Sequence, residues 1–473
     1  MVFSSLEFLF RFFPIFIIAY ILVKKEYRLY VILAGSLVFY AYGEPLYIFL
    51  MIFSILVNHF LAKGIYERRQ GGGPKKERMK RAKGLLIISA VINFGLLFVF
   101  KYLGFFCSII NGIAGKEVLP ILQPELPLGI SFYTFQMMSY VIDVYRGKYR
   151  VGKSMINFAA YVSMFPQLIA GPIVNYSEVM RDMKDRRLSP KAVENGVTIF
   201  ILGLLYKVLL ANNIASLWND VQTIGVYGIN TLTAWMGAWG FSFQLYFDFW
   251  GYSLMAIGLG KILGFKFPQN FKEPYSALSA TDFWRRWHIT LGRWFREYVY
   301  IPLGGNRKGP ARLVLNTFVV WFLTGLWHGA NWNFIIWGLF FFVLLMIEKF
   351  YLLEKLEKNK WSGHIYMLFI IPLSWTIFNI TDLKTLGLYI MKMFLLPLPD
   401  APKLDTMSKF VSLFGKYWWL LLICAVFATP YPMQLVKKYR DTIVFKILLL
   451  AGFWYAVYNM ALGMDNPFLY FRF

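Results

Sequence analysis

Two histidines set forty residues apart are the side chains in this sequence best suited to chemistry. His288 sits in Asp282-Phe-Trp-Arg-Arg-Trp-His288-Ile-Thr-Leu-Gly-Arg-Trp-Phe-Arg-Glu297, and His328 in Thr324-Gly-Leu-Trp-His328-Gly-Ala-Asn-Trp332. The chain has four histidines in all, and these two fall in its most Trp-rich stretch, where an ordinary apolar helix needs none. A neutral imidazole in an apolar cavity is a suitable general base: it can take the proton from an alcohol as that oxygen attacks a thioester carbonyl. Burial lowers a histidine's pKa and so keeps it neutral and competent. A zinc site needs three or four ligands, and neither a cysteine nor a third clustered histidine offers them, so no metal ligands are assigned. His59, beside Asn58, and His364 lack a comparable setting and read as structural.

The elements that must position these rings follow from spacing. A helix over 283–298, at 100° per residue, gathers Trp284, Trp287, Leu291, Trp294, Phe295 and Tyr298 on one face. Arg285, Arg286, Arg293 and Arg296 gather opposite, and His288 falls with the aromatic residues. Such a helix lies at the membrane boundary or dips into it. Taken alone, His288 reads first as a packed core histidine bonded to a backbone carbonyl. His328 is harder to dismiss. The apolar run 313–327 makes about 22 Å of helix, less than a hydrocarbon core of roughly 30 Å, and His328-Gly-Ala-Asn331 breaks it before the chain turns back. That places His328 inside the membrane, toward its outer half, where an ionisable group marks a functional site by default.

Composition gives the setting. Of 473 residues, 58% are hydrophobic, 20% aromatic and only 16% charged, against roughly 25% charged in soluble domains. The apolar residues fall in runs close to the length of a membrane helix, so the chain reads as an all-α polytopic membrane protein with a single integral domain over 1–473. Its catalytic core is expected at roughly 128–348, with a C-terminal helix and aromatic tail over 443–473. The net charge of +24 comes from Lys and Arg in short loops, the bias of cytoplasmic loops, and nucleic acid is not the expected partner. Cys107 and Cys424 lie in or next to apolar segments and suggest no disulfide framework. The N-terminal run, interrupted by Pro14, reads as a first membrane helix rather than a removed signal.

Charge parity then orders the runs. Runs 8–23, 29–42, 46–62, 85–103 and 128–145 cross in turn, with the basic loops 67–83 and 146–150 inside. Segment 156–173 is flanked by basic loops on both sides, so it is expected to be re-entrant, turned by the prolines and glycine of Phe165-Pro-Gln-Leu-Ile-Ala-Gly-Pro172. Broken backbone at membrane depth lines a cavity or is buried in protein. Run 193–211 leads to a loop, 212–230, without Lys or Arg, and 231–262 returns, interrupted by Asp248 and Gly251. Runs 313–328, 332–348, 364–380, 417–435 and 443–463 follow, with 384–397 along the outer surface. The expectation is 11–12 spans plus re-entrant or interfacial helices, both termini outside.

The combined motifs resemble the membrane-bound O-acyltransferase superfamily, and within it the alginate O-acetylase branch. The matching pieces are Ile130-Ser-Phe-Tyr-Thr-Phe-Gln136, Tyr140-Val-Ile-Asp-Val-Tyr-Arg146, 165–172, Tyr246-Phe-Asp-Phe249 with Gly251-Tyr-Ser253, and Asp282-Phe-Trp-Arg-Arg-Trp-His288. They continue with Tyr300-Ile-Pro-Leu-Gly-Gly-Asn306, Gly325-Leu-Trp-His-Gly-Ala-Asn-Trp332 and Asn466-Pro-Phe-Leu-Tyr-Phe-Arg-Phe473. The resemblance implies that an acyl group, usually acetyl from acetyl-CoA, is taken up on the cytoplasmic side and passed through a tunnel. It leaves outside, with a separate SGNH-type acetyltransferase or esterase as partner, to modify a polysaccharide; no permanently bound cofactor is implied. His328 matches the family's catalytic histidine and His288 the second one. Gln136, Asp248, Trp327, Asn331 and Trp332 become candidates for the tunnel. Trp284, Arg285, Arg286, Arg293 and Arg296 become candidates for holding the CoA donor, although lipid headgroups are the simpler partner for any one arginine.

Trp250 and Leu254 depart from the alginate branch, which usually has Ser and Asp there, and Leu254 resembles the branch that D-alanylates teichoic acids from an acyl carrier protein. A partner peptide of that branch ends in Phe-x-Tyr-x-x-Phe, and Phe468-x-Tyr470-x-x-Phe473 is similar, which suggests Tyr470 as an acyl relay. An aromatic interface belt is the competing reading of the tail. Three functions follow for testing: O-acetylation of an envelope or secreted polysaccharide at the cell membrane, D-alanyl transfer by the same machinery, and a lipid or polysaccharide transporter. A structural scaffold for envelope enzymes would tolerate loss of both histidines.

Overall fold

The computed structural model describes residues 1–149, 151, 154–168, 171–184, 186, 188–397, 405–463 and 469. Every regular element among them is a helix. Eight are long and apolar enough to cross a membrane: Tyr47–Gln70, Lys75–Ala114, Pro190–Ile224, Pro310–His328, Trp332–Lys358, Lys360–Asn379, Thr406–Phe427 and Ile443–Ala461. The other apolar runs form shorter helices, Phe13–Leu22, Arg28–Gly43 and Ile130–Arg146, and the 32-residue Thr231–Ile262. The last runs unbroken for about 48 Å. Asp248 and Gly251, read from sequence as interruptions, lie within its continuous hydrogen-bonded turns. The expected span at 417–435 is instead Thr406–Phe427 followed by a separate helix, Tyr431–Tyr439. Leu383–Met393 has eleven residues, about 16 Å, too short to cross.

The chain forms two compact units. The first comprises 1–200 and 255–268. Its core includes a cluster of phenylalanine rings, with Phe12, Phe16 and Phe39 each within 5.5 Å of Phe165 between centroids. Phe165 opens the short helix Phe165–Leu168, which follows Met155–Ser163 after a break at Met164. Nine residues make about 13 Å of helix, so this segment does not cross by itself, as its flanking charges required. Between Tyr47–Gln70 and Lys75–Leu97, buried Asn58, Ser89 and Asn93 bond one another: Asn93 donates to Asn58 Oδ1 at 2.7 Å and Ser89 to the same oxygen at 2.8 Å. Side-chain amides of this kind hold helices together where lipid offers no hydrophobic drive.

The second unit comprises 201–254 and 269–473 and holds both candidate histidines. Its central feature is the hairpin of Pro310–His328 and Trp332–Ile347. The helices cross at two glycines. A Cβ at Gly325 would run into the carbonyl oxygen of Phe334, and one at Gly338 into that of Trp321. Two backbones in direct contact set the position of every later side chain on either helix, including His328 three residues on.

Candidate functional site

The stretch expected as one helix over 283–298 is two short ones, Ala280–Arg286 and Ile289–Phe295, broken at Trp287 and His288. His288 has φ 44° and ψ 49°, the left-handed region that a non-glycine residue occupies only where surrounding contacts impose it. The contacts are on either side. The Ile289 N–H donates to the Asn270 carbonyl at 3.0 Å and the Lys272 N–H to the Arg286 carbonyl at 2.9 Å, so segment 270–272 is laced along the break. Upstream, Ser279 caps the first helix by accepting from the Asp282 N–H at 3.0 Å. Glu348, fully buried, accepts from the N–H groups of Ala280 and Thr281 at 2.6 and 2.8 Å and from the Thr281 hydroxyl at 2.6 Å. A carboxylate on a helix N-terminus satisfies orphan donors and complements the helix dipole.

The ring of His288 is defined by Asn270. Asn270 Oδ1 accepts from the Thr290 N–H at 3.2 Å and the Thr290 hydroxyl at 2.9 Å. Because a backbone N–H only donates, the amide atom facing it is the oxygen, and the His288 Nδ1 placed 3.2 Å from it carries the hydrogen. Nε2 is therefore the basic nitrogen. Burial pushes the imidazole pKa down to about 3, so the ring is neutral across the physiological range. The Phe249 ring meets it edge-on with centroids 4.8 Å apart.

His328 closes its helix and is buried. The helix starts at Pro310, three residues before the apolar run, because proline suits a first helical turn. Its 19 residues therefore extend about 28 Å, nearly a full hydrocarbon thickness, instead of the 22 Å read from the run. The His328 ring stands edge-on to Trp327, Trp337 and Phe378, at 5.0, 5.0 and 5.2 Å between centroids. Trp327 also faces His288 at 6.0 Å. One indole thus lies beside both imidazoles, so the two histidines share an aromatic neighbour.

The remaining sequence candidates divide. Trp327 is in the site. Trp284 packs on Trp321 and Phe341 at 4.7 and 4.9 Å and serves the hairpin. The break at His288 splits the expected arginine face: Arg285 and Arg296 are exposed, Arg293 is half-buried, and Arg286 pairs with Asp282 at 2.9 Å. Asn331 caps Trp332–Ile347 through extended backbone without a side-chain cap bond, and Trp332 is 46% exposed. Gln136 is buried in the first unit. Asp248 is buried in the second unit, paired with Lys207 at 2.7 Å. Tyr470 lies outside the described residues. Sequence reasoning missed Asn270, Glu348, Phe249, Phe378 and Lys207. A lysine inside the apolar run 193–211 and an acid closing the run 332–348 were the available signals for two of them.

Beside Tyr275, whose ring stacks on Trp287 with centroids 6.3 Å apart, lies an apolar cavity of about 440 Å³ walled by Trp239, Phe243, Leu421 and Ala425.

Comparisons with known proteins agree with this architecture. The model of the membrane-bound O-acyltransferase family matches residues 149–354, a range that contains both histidines and Asn270. The chain is 38% identical to the probable alginate O-acetylase of Pseudomonas putida, over 81% of this chain and 78% of that protein. It is 37% identical to the peptidoglycan O-acetyltransferase of Helicobacter pylori, over 74% and 71%. It is 28% identical to the teichoic acid D-alanyltransferase of Bacillus subtilis, over 50% and 61%. An all-helical, multi-pass chain with this degree of likeness belongs to the membrane-bound O-acyltransferase family and is an O-acyltransferase.

Proposed function

We propose that the enzyme transfers acetyl groups from cytoplasmic acetyl-CoA to hydroxyls of a cell-envelope or secreted polysaccharide, working in the plasma membrane with an extracytoplasmic SGNH-type partner. The observation that carries this reading is the pair of buried imidazoles sharing Trp327. His328 is the general base. It takes the hydroxyl proton as the oxygen bonds to the thioester carbonyl carbon; the C–S bond then breaks and the thiol leaves with the proton. His288, held neutral with Nε2 as its basic nitrogen, orients the acceptor or the carbonyl by hydrogen bonding. Tyr470 fits the same chemistry as an intermediate acceptor, carrying the group as a phenolic ester. Arg285 and Arg296, exposed on either side of the break, are the members of the basic set open to the donor's phosphates. The two O-acetyl-transferring relatives support the acetyl group and the polymer class.

Membranes carrying the enzyme, given labelled acetyl-CoA and the host's polysaccharide, are expected to label the polymer, and His328→Ala membranes are not. Label transfer by His328→Ala at the wild-type rate overturns the assignment.

D-alanyl transfer from a carrier-protein thioester is the second reading, favoured by Leu254 and by the D-alanyltransferase relative. Label retained only from an aminoacyl carrier protein selects it.

A further inference from the structure

The long helix Thr231–Ile262 meets the segment Tyr206–Ala211 so closely that a Cβ at Gly251 would lie 2.7 Å from the Gly203 carbonyl oxygen and 3.0 Å from the Lys207 nitrogen. One turn before Gly251, Asp248 Oδ1 receives Lys207 Nζ at 2.7 Å, and the same ammonium donates to Asn212 Oδ1 at 2.9 Å. Both ionic side chains are buried, 1% and 3% exposed. A buried ion pair costs several kcal/mol in desolvation and gains stability only when further hydrogen bonds satisfy its remaining sites. The second carboxylate oxygen has such a bond: Asp248 Oδ2 accepts from the backbone N–H of Leu469 at 2.8 Å, 221 residues away in sequence. Leu469 is itself 5% exposed. The residue after Asp248 on the same helix, Phe249, is the ring that meets His288.

We infer that Lys207 and Asp248 form a positioning pair that anchors Leu469 against the long helix for the transfer reaction. The lysine orients the Asp248 side chain by a 2.7 Å contact, and the other carboxyl oxygen holds the Leu469 amide one residue along the helix from Phe249, the ring that meets His288. The inference rests on the acyltransfer reading for its kinetic half and on geometry alone for its structural half.

The test uses the full-length enzyme and the double variant Lys207→Met with Asp248→Leu. The double replacement removes both charges together, so it keeps the helix crossing filled and leaves no unpaired ion. Amide exchange of the C-terminal peptide 464–473 is followed by mass spectrometry, with thermal unfolding as the control. In the wild type the Leu469 amide is expected to exchange at least about tenfold more slowly than in the double variant, while Tm stays within a few degrees. With whichever thioester donor the wild type accepts, kcat is expected to fall at least about tenfold at unchanged donor KM, the pattern of a lost transition-state interaction. Equal exchange in wild type and double variant, or lost protection with unchanged kcat, overturns the inference. The exchange measurement does not depend on the donor, so an error in the acetyl-CoA assignment is told apart from an error here.

Discussion

Asn270 and His288 are joined by a 3.2 Å contact from amide oxygen to ring Nδ1, and that contact fixes which imidazole nitrogen can act. Without it the neutral ring is free to adopt the other tautomer, in which Nε2 carries the hydrogen and loses its basicity. Asn270→Ala is therefore expected to lower transfer by about 10- to 100-fold with donor KM little changed. Asn270→Asp, which keeps an acceptor, is expected to retain more activity. Steady-state kinetics on the two variants checks this, and equal losses would remove the tautomer argument.

The low pKa of His288 sets a pH dependence. The imidazole protonates near 6.5 in an unfolded chain but only near 3 in the buried site. The unfolded state therefore takes up the proton first on acidification. Stability is undiminished above about pH 6.5 and declines as pH falls toward 3, by up to about 1.4 kcal/mol per unit. His288→Gln is expected to flatten the fall in Tm between pH 6.5 and 4.5. An acid limb of activity above pH 5 must then belong to another group and is expected to survive in Asn270→Asp.

Glu348 holds the first of the two short helices through three hydrogen bonds. Glu348→Ala leaves those donors buried and is expected to cost about 2–4 kcal/mol. Glu348→Gln, which keeps one acceptor oxygen, is expected to cost less. Thermal unfolding in detergent ranks them, and activity is expected to follow the same order because His288 hangs from this segment.

The glycine crossing under His328 is equally specific. Gly325→Ala drives a methyl into the Phe334 carbonyl oxygen and is expected to cost about 1–3 kcal/mol. Gly292→Ala, with open space around it, is expected to be near neutral in stability.

How much was legible in the sequence follows from the range of each interaction. Helical runs and their charged flanks are local, and they located both histidines and the short broken element at 155–168. The unbroken helix at His288 was a misreading with a clear cause. Residues 283–298 keep a 3.6-residue aromatic period on both sides of the break, so periodicity reports no interruption. The break is imposed by Asn270 and by the backbone of 270–272, partners that no local pattern marks. Glu348 and Lys207 were visible as charges in apolar runs, but their partners lie 67 and 41 residues away and are chosen by packing. The arginine face dissolved for the same reason. Once the helix breaks, Arg285 and Arg286 no longer share an axis with Arg293 and Arg296.

The central claim is that His328 supplies the base for acyl transfer. The most direct measurement is the single-turnover rate of acyl transfer by His328→Ala and His328→Gln enzymes, with thioester binding measured on the same samples. The account predicts a loss of at least about 100-fold in rate with donor binding kept within a few fold. Transfer at the wild-type rate by either variant, with the protein folded, contradicts it.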